Sequence, residues 1–458
     1  MTRHYASWHN EPTDYEQRGK LPRETVRETA VDEPVRPPLG GSLNITSATM
    51  DSALLDLPWH IRLEDWPAKN LAALPRGISR HVVRFALLRD SVIAVKETGE
   101  HIARHEYHML RKLNRLGVPC VEPVAVITGR ADESGNELDP VLVTRHLKYS
   151  LPYRALFSQR LRRKTLHRLI DAQALLLVRL HLAGFYWGDV SLSNTLFRRD
   201  AESFAAYLVD AETGELYPAL SEGQREYDLE IARVNIAGEL MDLMEAGLTE
   251  ESVDPLATSE QIMDSYHGLW QELTGQDAFD LGERWRVDER IRRLNKLGFD
   301  VDEIALRTTA DGTQLQIQPK VVDAGHHQRR LLRLTGLDVQ EFQARRLLND
   351  IDAYRARKHP ELDEEINAAL WVRDVFQRIT EAIPRELHGK LEPAQLVHEV
   401  LEHRWFISER RGSNVPLAET IESYIDTVLR HRRDEAAIML NPPSEVLEAI
   451  DLTRHDDD

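Results

Sequence analysis

Apolar positions along the chain follow two different periods, and each period predicts a type of element. Residues Ser91–Lys96 alternate between apolar and polar positions, which predicts a strand. Two further apolar runs, Val141–Leu147 and Ala205–Val209, also predict strands. Apolar spacing of three and four residues predicts a helix over Leu166–Ala183, and Gly184 is placed to end it.

The chain beyond about Leu248 has a different pattern. A polar link over Gly275–Gly282 leads into a basic stretch with helical periodicity, Arg284–Leu297. The turn pair Asp311 and Gly312 lies between two short apolar runs and predicts a β-hairpin. Four helices are then predicted at Leu337–Tyr354, Glu361–Ile383, Pro393–Phe406 and Pro416–His431. We therefore expect this half to be mostly α-helical with one hairpin.

The beginning of the chain shows little periodicity. Residues 1–48 mix prolines, charges and glycines, which predicts a disordered tail. Residues Leu54–Leu74 carry apolar and aromatic side chains between prolines, and predict a segment that caps the first lobe. The predicted domains are a tail at 1–48, a first lobe at 49–146, a second lobe at 147–275 and a helical domain at 280–445.

Two polar residues after the predicted helix have a spacing that suits phosphoryl transfer. Asp189 and Asn194 have four residues between them in the run WGDVSLSN. An aspartate can orient the hydroxyl that attacks a phosphate, and an asparagine one short loop later can hold a magnesium ion. Because such a pair also occurs by chance, the interpretation depends on the residues found around it.

A lysine and two carboxylates occur in the required order around this pair. Strand alternation puts Ala94 and Lys96 on one face, so the ammonium would reach phosphate oxygens while the small alanine lies under a base. Glu106 shares a helical face with three apolar residues, so we expect it to face inward and pair with Lys96. Asp210 follows a predicted strand, where an aspartate can bind a metal. Together these residues meet the requirements of a two-lobed ATP phosphotransferase.

On these motifs, the stretch from about Gly77 to Leu248 resembles the protein-kinase-like superfamily in its atypical and small-molecule branches. The tripeptide at Trp187–Asp189 is similar to the His-Gly-Asp of aminoglycoside phosphotransferases. The loop from Asp189 to Asn194 resembles that of RIO kinases, and lipopolysaccharide-core sugar kinases share this type of loop. Residues 280–435 resemble an uncharacterised domain attached to kinase-like chains in one bacterial family. The resemblance implies an α+β, two-lobed kinase-like fold followed by a mainly α-helical domain that contains a β-hairpin.

The resemblance also implies roles for individual residues. Lys96 would pair with Glu106, Asp189 would be the catalytic aspartate, and Asn194 and Asp210 would hold magnesium. The residues expected to contact ATP belong to the phosphate loop, the base pocket and the hinge strand: Gly77, Ser79, Arg80, His81, Ala94, Lys96, Thr144, Arg145 and His146.

Departures from the kinase pattern keep other functions open. The phosphate loop has one glycine, Gly77, which weakens backbone cradling of a phosphate. Ser191 stands where protein kinases that act on serine or threonine have lysine, so an arginine such as Arg80 would have to supply the charge. Ala and Glu, instead of Phe and Gly, follow Asp210. A nucleotide-binding pseudokinase, an enzyme that transfers AMP and a plain interaction protein therefore remain alternatives to an active phosphotransferase of unidentified acceptor.

Two other positions carry competing interpretations. Asp228 stands where related kinases have an aspartate that braces the catalytic loop, although the macrodipole alone favours a carboxylate in the first turn of a helix. His398 and His403 lie in the sequence HEVLEH, which is similar to a zinc-peptidase motif. Zinc ligands on one helical face are four residues apart, whereas these two are five apart, so we expect no zinc site there.

Composition limits the partners and the compartment. The 458 residues allow about three domains, and a net charge of -18 argues against bulk nucleic-acid binding. The single cysteine, Cys120, has no partner for an internal disulfide, and no segment resembles a membrane span or signal peptide. We expect a cytoplasmic protein whose partners are ATP, an acceptor and a protein bound through the C-terminal domain.

Overall fold

A short strand near the start of the chain extends the first lobe further than predicted. The computed structural model describes residues 43–49, 51–72, 81–89, 91–157, 161–249, 253–275, 277–280, 289, 292–294, 299–308, 314–432 and 435. Most of the predicted tail lies outside these residues, but Asn44–Ser47 form a strand that pairs with Pro123–Thr128. The prediction that the tail extends to residue 48 is therefore wrong. Strand pairing uses backbone groups, so it needs no hydrophobic periodicity in the strand itself.

A five-stranded antiparallel sheet forms the first lobe, with strand order β1-β4-β5-β3-β2. In chain order the strands are β1 Asn44–Ser47, β2 Val83–Leu88, β3 Ser91–Glu97, β4 Pro123–Thr128 and β5 Val141–Arg145. Helix α1, Glu100–Arg115, connects β3 to β4. The predicted alternation in β3 is present, since Ile93 and Val95 are fully buried on one face while Ala94 and Lys96 line a cleft on the other.

The predicted capping segment covers the sheet face that points away from this cleft. It consists of three short 3₁₀ helices, Ser52–Asp56, Leu63–Asp65 and Ala68–Asn70. Trp59 and Trp66 are buried, with their rings edge to face and 5.2 Å between centroids. Arg130 ties the segment to the sheet, because its guanidinium donates to the carbonyl oxygens of Trp59 at 3.1 Å and Ile61 at 2.7 Å. It also pairs with Glu97 of β3 at 3.0 Å. The cap leaves the other face of the sheet for the site.

The second lobe is mainly helical and carries two small sheets, β6-β8-β9 and β7-β10. In chain order its elements are β6 Leu151–Pro152, α2 Tyr153–Phe157, α3 Arg163–Leu182, β7 Phe185–Tyr186, β8 Thr195–Asp200, β9 Ser203–Leu208, β10 Glu215–Leu216, α4 Glu222–Glu245 and α5 Pro255–Thr274. The helix predicted at Leu166–Ala183 is α3, and its apolar stripe of Leu169, Leu176 and Leu180 is buried. Gly184 follows with φ +80°, a left-handed conformation that ends helices and favours glycine.

Beyond α5 the chain forms a three-stranded antiparallel sheet and a helical domain. The strands are β11 Asp277–Asp280, β12 Phe299–Thr308 and β13 Gln314–Ala324, in the order β11-β13-β12. The helices are α6 His326–Thr335, α7 Glu341–Lys358, α8 Glu364–Trp371, α9 Arg378–Ala382, α10 Pro393–Arg411 and α11 Leu417–Thr427. Within the part of the chain that the structure describes, no helix has the length and apolarity to cross a bilayer.

This region confirms the predicted hairpin and corrects two details. β12 and β13 form the hairpin, while its predicted turn residues, Asp311 and Gly312, lie outside the described residues. The predicted polar link Gly275–Gly282 contains β11, which pairs with β13 through its backbone and so tolerates polar side chains. The single helix predicted at Glu361–Ile383 is divided by a π-helical segment, Val372–Gln377, where the helical hydrogen-bond spacing lengthens.

Candidate active site

A cleft of about 690 Å³ separates the sheet of the first lobe from the second lobe. Side chains of β2, β3 and β5 form its roof, among them Val83, Ala94 and Leu142. Its floor comes from the loop between β7 and β8, from the loop after β9 and from α4. The predicted site residues that line it are His81, Ala94, Lys96, Glu106, Thr144, Asp189, Asn194 and Asp210.

Two other described residues predicted to contact ATP, Arg145 and His146, are not among the residues that line the cleft. Arg145 follows Thr144 in β5, so strand alternation directs its side chain to the opposite face, where Nε donates to Glu122 at 2.7 Å. The ring of His146 packs edge to face on Phe85, with 5.5 Å between centroids. At these two positions, contact with ATP therefore stays a prediction, and it concerns the backbone groups and not the side chains. Outside the described residues lie Gly77, Ser79 and Arg80.

Lys96 lies at the centre of a cluster of carboxylates. Its Nζ is 3.2 Å from Glu106, 2.7 Å from Asp210 and 2.9 Å from Glu212. The contact with Glu106 is the pairing that helix periodicity predicted, and Glu106 is buried. Asp210 and Glu212 belong to the loop after β9 in the second lobe, so Lys96 connects the two lobes.

The cluster carries excess negative charge, which suits a divalent cation. Burial lowers the pKa of Lys96, but the charges of Glu106 and Asp210 outweigh burial, so the pKa is raised and the ammonium stays protonated. Burial and the charge of Asp210 raise the pKa of Glu106 to about 8, although Lys96 acts in the opposite direction. Ligand oxygens of Glu106, Asp210 and Glu212 lie within 4.8 Å of one another. Carboxylate oxygens are the ligands that magnesium prefers, so these residues fit the ion.

Asp189 and Asn194 are in contact in the loop between β7 and β8. The Asn194 Nδ2 donates to the backbone oxygen of Asp189 at 3.1 Å and to its carboxylate at 3.2 Å. From α4, the Asn235 Nδ2 donates to the other carboxylate oxygen at 3.4 Å and to the backbone oxygen of Val190 at 3.1 Å. Two amide groups thus fix the direction of the Asp189 carboxylate at the wall of the cleft.

Helix α4 also holds the backbone of this loop through Asp228. The buried carboxylate accepts hydrogen bonds from the backbone N–H groups of Trp187 at 2.9 Å and Gly188 at 2.8 Å. The His181 Nε2 lies 3.1 Å from the same carboxylate. Because the helix begins at Glu222, Asp228 lies in its second turn, and the first-turn interpretation is wrong. The contacts are those of the predicted brace.

Residues missed from the sequence complete the site. Glu239 accepts hydrogen bonds from two backbone N–H groups of the loop, at 2.6 and 2.9 Å. Asn235 and Glu239 share one face of α4 with Asp228, and the successive spacings of seven and four residues along the helix are the signal that could have revealed them. Glu212 follows Asp210 by two residues, and sequence reasoning treated it only as a departure from the kinase pattern. Its contact with Lys96 depends on the fold of that loop.

The half-buried hinge histidine, His146, gives stability a pH dependence. Burial and the charge of Lys148 lower the pKa of His146 from 6.5 to about 4, so folding holds the ring neutral where the unfolded chain takes up a proton. Stability is therefore complete above pH 6.5 and is lost as the pH falls toward 4. As the pH falls from 7 to 5, protonation of His146 in the unfolded chain should lower the free energy of unfolding by about 2 kcal/mol.

Urea unfolding of His146→Phe at both pH values measures this contribution. The variant keeps an aromatic ring against Phe85 but has no titrating group, so its stability should change less between pH 7 and pH 5 than that of the native chain. His167→Phe, at an exposed position on α3, is the matched control and should retain the native pH dependence. Equal pH dependence in the native chain and in His146→Phe would show that the assignment is wrong.

Comparison with known families identifies two domains in the chain. Residues 68–237 match the lipopolysaccharide kinase (Kdo/WaaP) family. Residues 268–429 match a domain of unknown function (DUF4032). No curated protein matches the chain. The family matches confirm the resemblance to lipopolysaccharide kinases and to an uncharacterised C-terminal domain, and with the geometry above they show a kinase-like fold followed by a mainly helical region.

Two solved structures illustrate how distant the similarity is. One is WaaP in complex with acyl carrier protein, with 18% identity over 49% of this chain and 88% of that chain, and a TM-score of 0.32. Another is the yeast RNA polymerase II CTD kinase CTDK-1 complex, with 14% identity over 31% of this chain and 49% of that chain, and a TM-score of 0.23. TM-scores this low support no argument about individual residues.

Proposed function

We propose that this chain, whose residues 68–237 match the lipopolysaccharide kinase family, is a phosphotransferase that moves phosphate from ATP to a hydroxyl acceptor with the help of magnesium. The family match supports a kinase-type phosphotransferase. The observation that carries the finer proposal is that one cleft contains the Lys96 cluster together with Asp189, which two amides hold. A lysine for phosphate and a fixed carboxylate for the acceptor are the groups that this reaction needs from the protein.

The arrangement assigns a task to each group. The face of the sheet that carries Ala94 and Leu142 is apolar and suits a flat base, while Lys96 would contact phosphate oxygens. Asn194 and Asp210 would hold magnesium, and Glu212 offers a further oxygen ligand. When bound, the ion would neutralise charge on the phosphates. These tasks agree with those that the kinase resemblance implies.

Asp189 would orient the acceptor hydroxyl and take its proton as the hydroxyl oxygen bonds to the γ-phosphorus of ATP and the bond from that phosphorus to ADP breaks. The contacts from Asn194 and Asn235 hold its carboxylate in one orientation, in which it can meet the acceptor hydroxyl. Beside it, α4 presents Gly238 to the cleft, and a Cβ added there would meet no heavy atom within 4 Å. This open wall leaves room for a small molecule or a protein side chain as the acceptor.

Nucleotide binding provides the first test of this proposal. Mg-ATP at about 100 times its dissociation constant should stabilise the native chain by about 2.7 kcal/mol. Lys96→Met should lose most of this shift, because it removes the cation that faces the phosphates. Lys112→Met, at an exposed position on α1, is the control and should respond like the native chain. Thermal unfolding with and without Mg-ATP measures the effect, and no shift in the native chain would contradict the proposal.

Mass spectrometry of acceptors incubated with Mg-ATP separates the proposal from its alternatives. A phosphate mass on a sugar, amine alcohol or protein hydroxyl supports the phosphotransferase. An adenylate mass would instead identify an enzyme that transfers AMP. Nucleotide binding without either product across these acceptor classes would favour the pseudokinase.

A further inference from the structure

The hairpin β8–β9 connects the candidate active site to the C-terminal domain. Asn194 directly precedes β8, Asp210 follows β9, and the N–H of Val209 donates to the backbone oxygen of Asn194 at 3.0 Å. Both predicted magnesium ligands therefore lie at one end of the hairpin. The turn after Asp200 lies at the other end, about 20 Å away for strands of this length.

At the turn, Asp200 caps a helix of the C-terminal domain. Its carboxylate accepts hydrogen bonds from the backbone N–H groups of Gln343 at 2.6 Å and Phe342 at 3.1 Å, in the first turn of α7. These N–H groups have no acceptor within the helix, so a carboxylate there stabilises it. The Asp200 side chain is fully enclosed, and burial raises its pKa to about 7 while the two N–H donors act to lower it.

Further contacts hold the end of β8 and the turn itself. The Gln343 Nε2 donates to the backbone oxygen of Arg199 at 3.0 Å, and the Gln395 Nε2 donates to that of Ala201 at 3.1 Å. Ala201 has φ +55°, which is unfavourable for a residue other than glycine, so the bond from Gln395 holds a strained turn. Ion pairs beside these bonds are Arg198–Glu392, Arg199–Glu435 and Arg346–Glu202.

The second lobe itself gives this hairpin little sheet support. Its neighbour β6 pairs with β8 over only two residues, Leu151 and Pro152. Its inward side chains, Phe197, Phe204 and Leu208, are buried in the core of the second lobe, so the face of the hairpin is held by packing while its turn is held by the contacts described above. At the site end, the N–H of Val121 donates to the backbone oxygen of Leu208 at 3.0 Å, which ties the hairpin to the segment before β4. The C-terminal domain holds the opposite end.

We propose that the C-terminal domain positions the active site through this hairpin, and that Asp200 is the positioning residue that couples the two. The inference rests on the proposed phosphotransferase function and assigns a mode of regulation to the same site. Loosening the turn would displace Asn194 and Asp210 together, because Asn194 directly precedes β8 and Asp210 lies two residues after β9. The carboxylate of Glu106 and the base-binding face of the sheet belong to the first lobe and would stay in place.

The chain offers a matched pair of variants that separates this coupling from simple loss of stability. Asp200→Ala removes the carboxylate through which the hairpin accepts hydrogen bonds from the first turn of α7. Glu341→Ala removes a cap of the same kind within the C-terminal domain, because Glu341 accepts hydrogen bonds from the N–H groups of His327 at 2.9 Å and Gln328 at 3.0 Å of α6. Both variants should lower the thermal unfolding temperature of the full-length chain, but only the first removes a hydrogen-bond acceptor on the hairpin.

The magnesium dependence of ATP turnover is the first measurement. In Asp200→Ala the half-saturating magnesium concentration should rise about tenfold, as for other residues that orient metal ligands. Binding of a fluorescent ADP analogue in EDTA should stay at the native affinity, since it does not use the magnesium ligands. Glu341→Ala should keep the native magnesium requirement, and Asp200→Asn, which retains one acceptor oxygen, should lie between the native chain and Asp200→Ala.

Hydrogen exchange of the backbone amides is the second measurement and does not require activity. Exchange at Val209 and along β8 should accelerate at least about tenfold in Asp200→Ala relative to Glu341→Ala. If Asp200→Ala matches Glu341→Ala in both exchange and magnesium requirement, Asp200 is merely structural and the inference is wrong. If exchange responds while the native chain shows no magnesium-dependent nucleotide binding or turnover, the coupling holds and the proposed function fails.

Discussion

Asp189→Asn is expected to lower the rate of phosphate transfer by about 10² to 10⁴, the usual contribution of a positioned acid–base group. The substitution preserves the size of the side chain but replaces a carboxylate oxygen with an amide that cannot accept a proton. The neighbouring donors Asn194 and Asn235 would then face one oxygen and one NH₂ group, so the side chain would also lose its fixed orientation. Steady-state turnover with saturating Mg-ATP measures the effect.

Nucleotide affinity separates this loss of chemistry from a loss of binding. Lys96 and its partner Glu106 do not contact Asp189 in the hydrogen-bond network of the described residues, so the shift in unfolding temperature with Mg-ATP should be close to native. Asp171→Asn, at an exposed position on α3, provides the matched control and should keep native turnover. A rate for Asp189→Asn within about threefold of native would exclude this residue as the acid–base group.

The sequence predicts best the positions of those residues that depend on short-range patterns. Strand alternation predicts the face on which Lys96 lies. The apolar face of a helix predicts that Glu106, only ten residues later, points inward to pair with it. Asp189 and Asn194 lie in one loop, so their contact needs little beyond that loop's geometry. The structure brings these residues into one cleft with Asp210, while their chemical roles stay proposals. The fold class was equally accessible, because the change from strand to helix periodicity is visible along the chain.

The residues that the sequence did not reveal act between distant segments. Asp200 meets the N–H of Phe342 across 142 positions of the chain, and no periodicity encodes which helix a β-turn will cap. Strand β1 falls within the predicted tail because its pairing with β4 is made mainly by backbone groups, which leave no hydrophobic periodicity in the sequence. Glu212 reaches Lys96 only through the path of the loop after β9. The cytoplasmic location and the protein partner of the C-terminal domain likewise stay predictions, since they depend on contacts outside this chain.

Asp228→Ala is expected to destabilise the kinase domain by about 4 kcal/mol, because it leaves buried donors without an acceptor. The carboxylate accepts from the backbone N–H groups of Trp187 and Gly188, and it lies beside the ring of His181. Alanine removes the acceptor for both backbone N–H groups and the partner of the His181 ring. The midpoint and slope of urea unfolding, followed by tryptophan fluorescence, measure the change, since Trp187 itself is buried in this region.

Loss of the brace should also reduce turnover at temperatures where the domain remains folded. Gly188 has φ +77° and directly precedes Asp189, so a loop freed from Asp228 would no longer hold the catalytic carboxylate toward the cleft. Asp228→Asn keeps one acceptor oxygen and should be intermediate in both stability and rate. Asp242→Ala is the control variant on the cleft-facing side of the same helix. It tests contacts with the acceptor substrate, but it should leave stability close to native because the side chain of Asp242 is exposed. A loss below about 1 kcal/mol in Asp228→Ala would mean that water replaces the carboxylate and that α4 does not determine the position of Asp189.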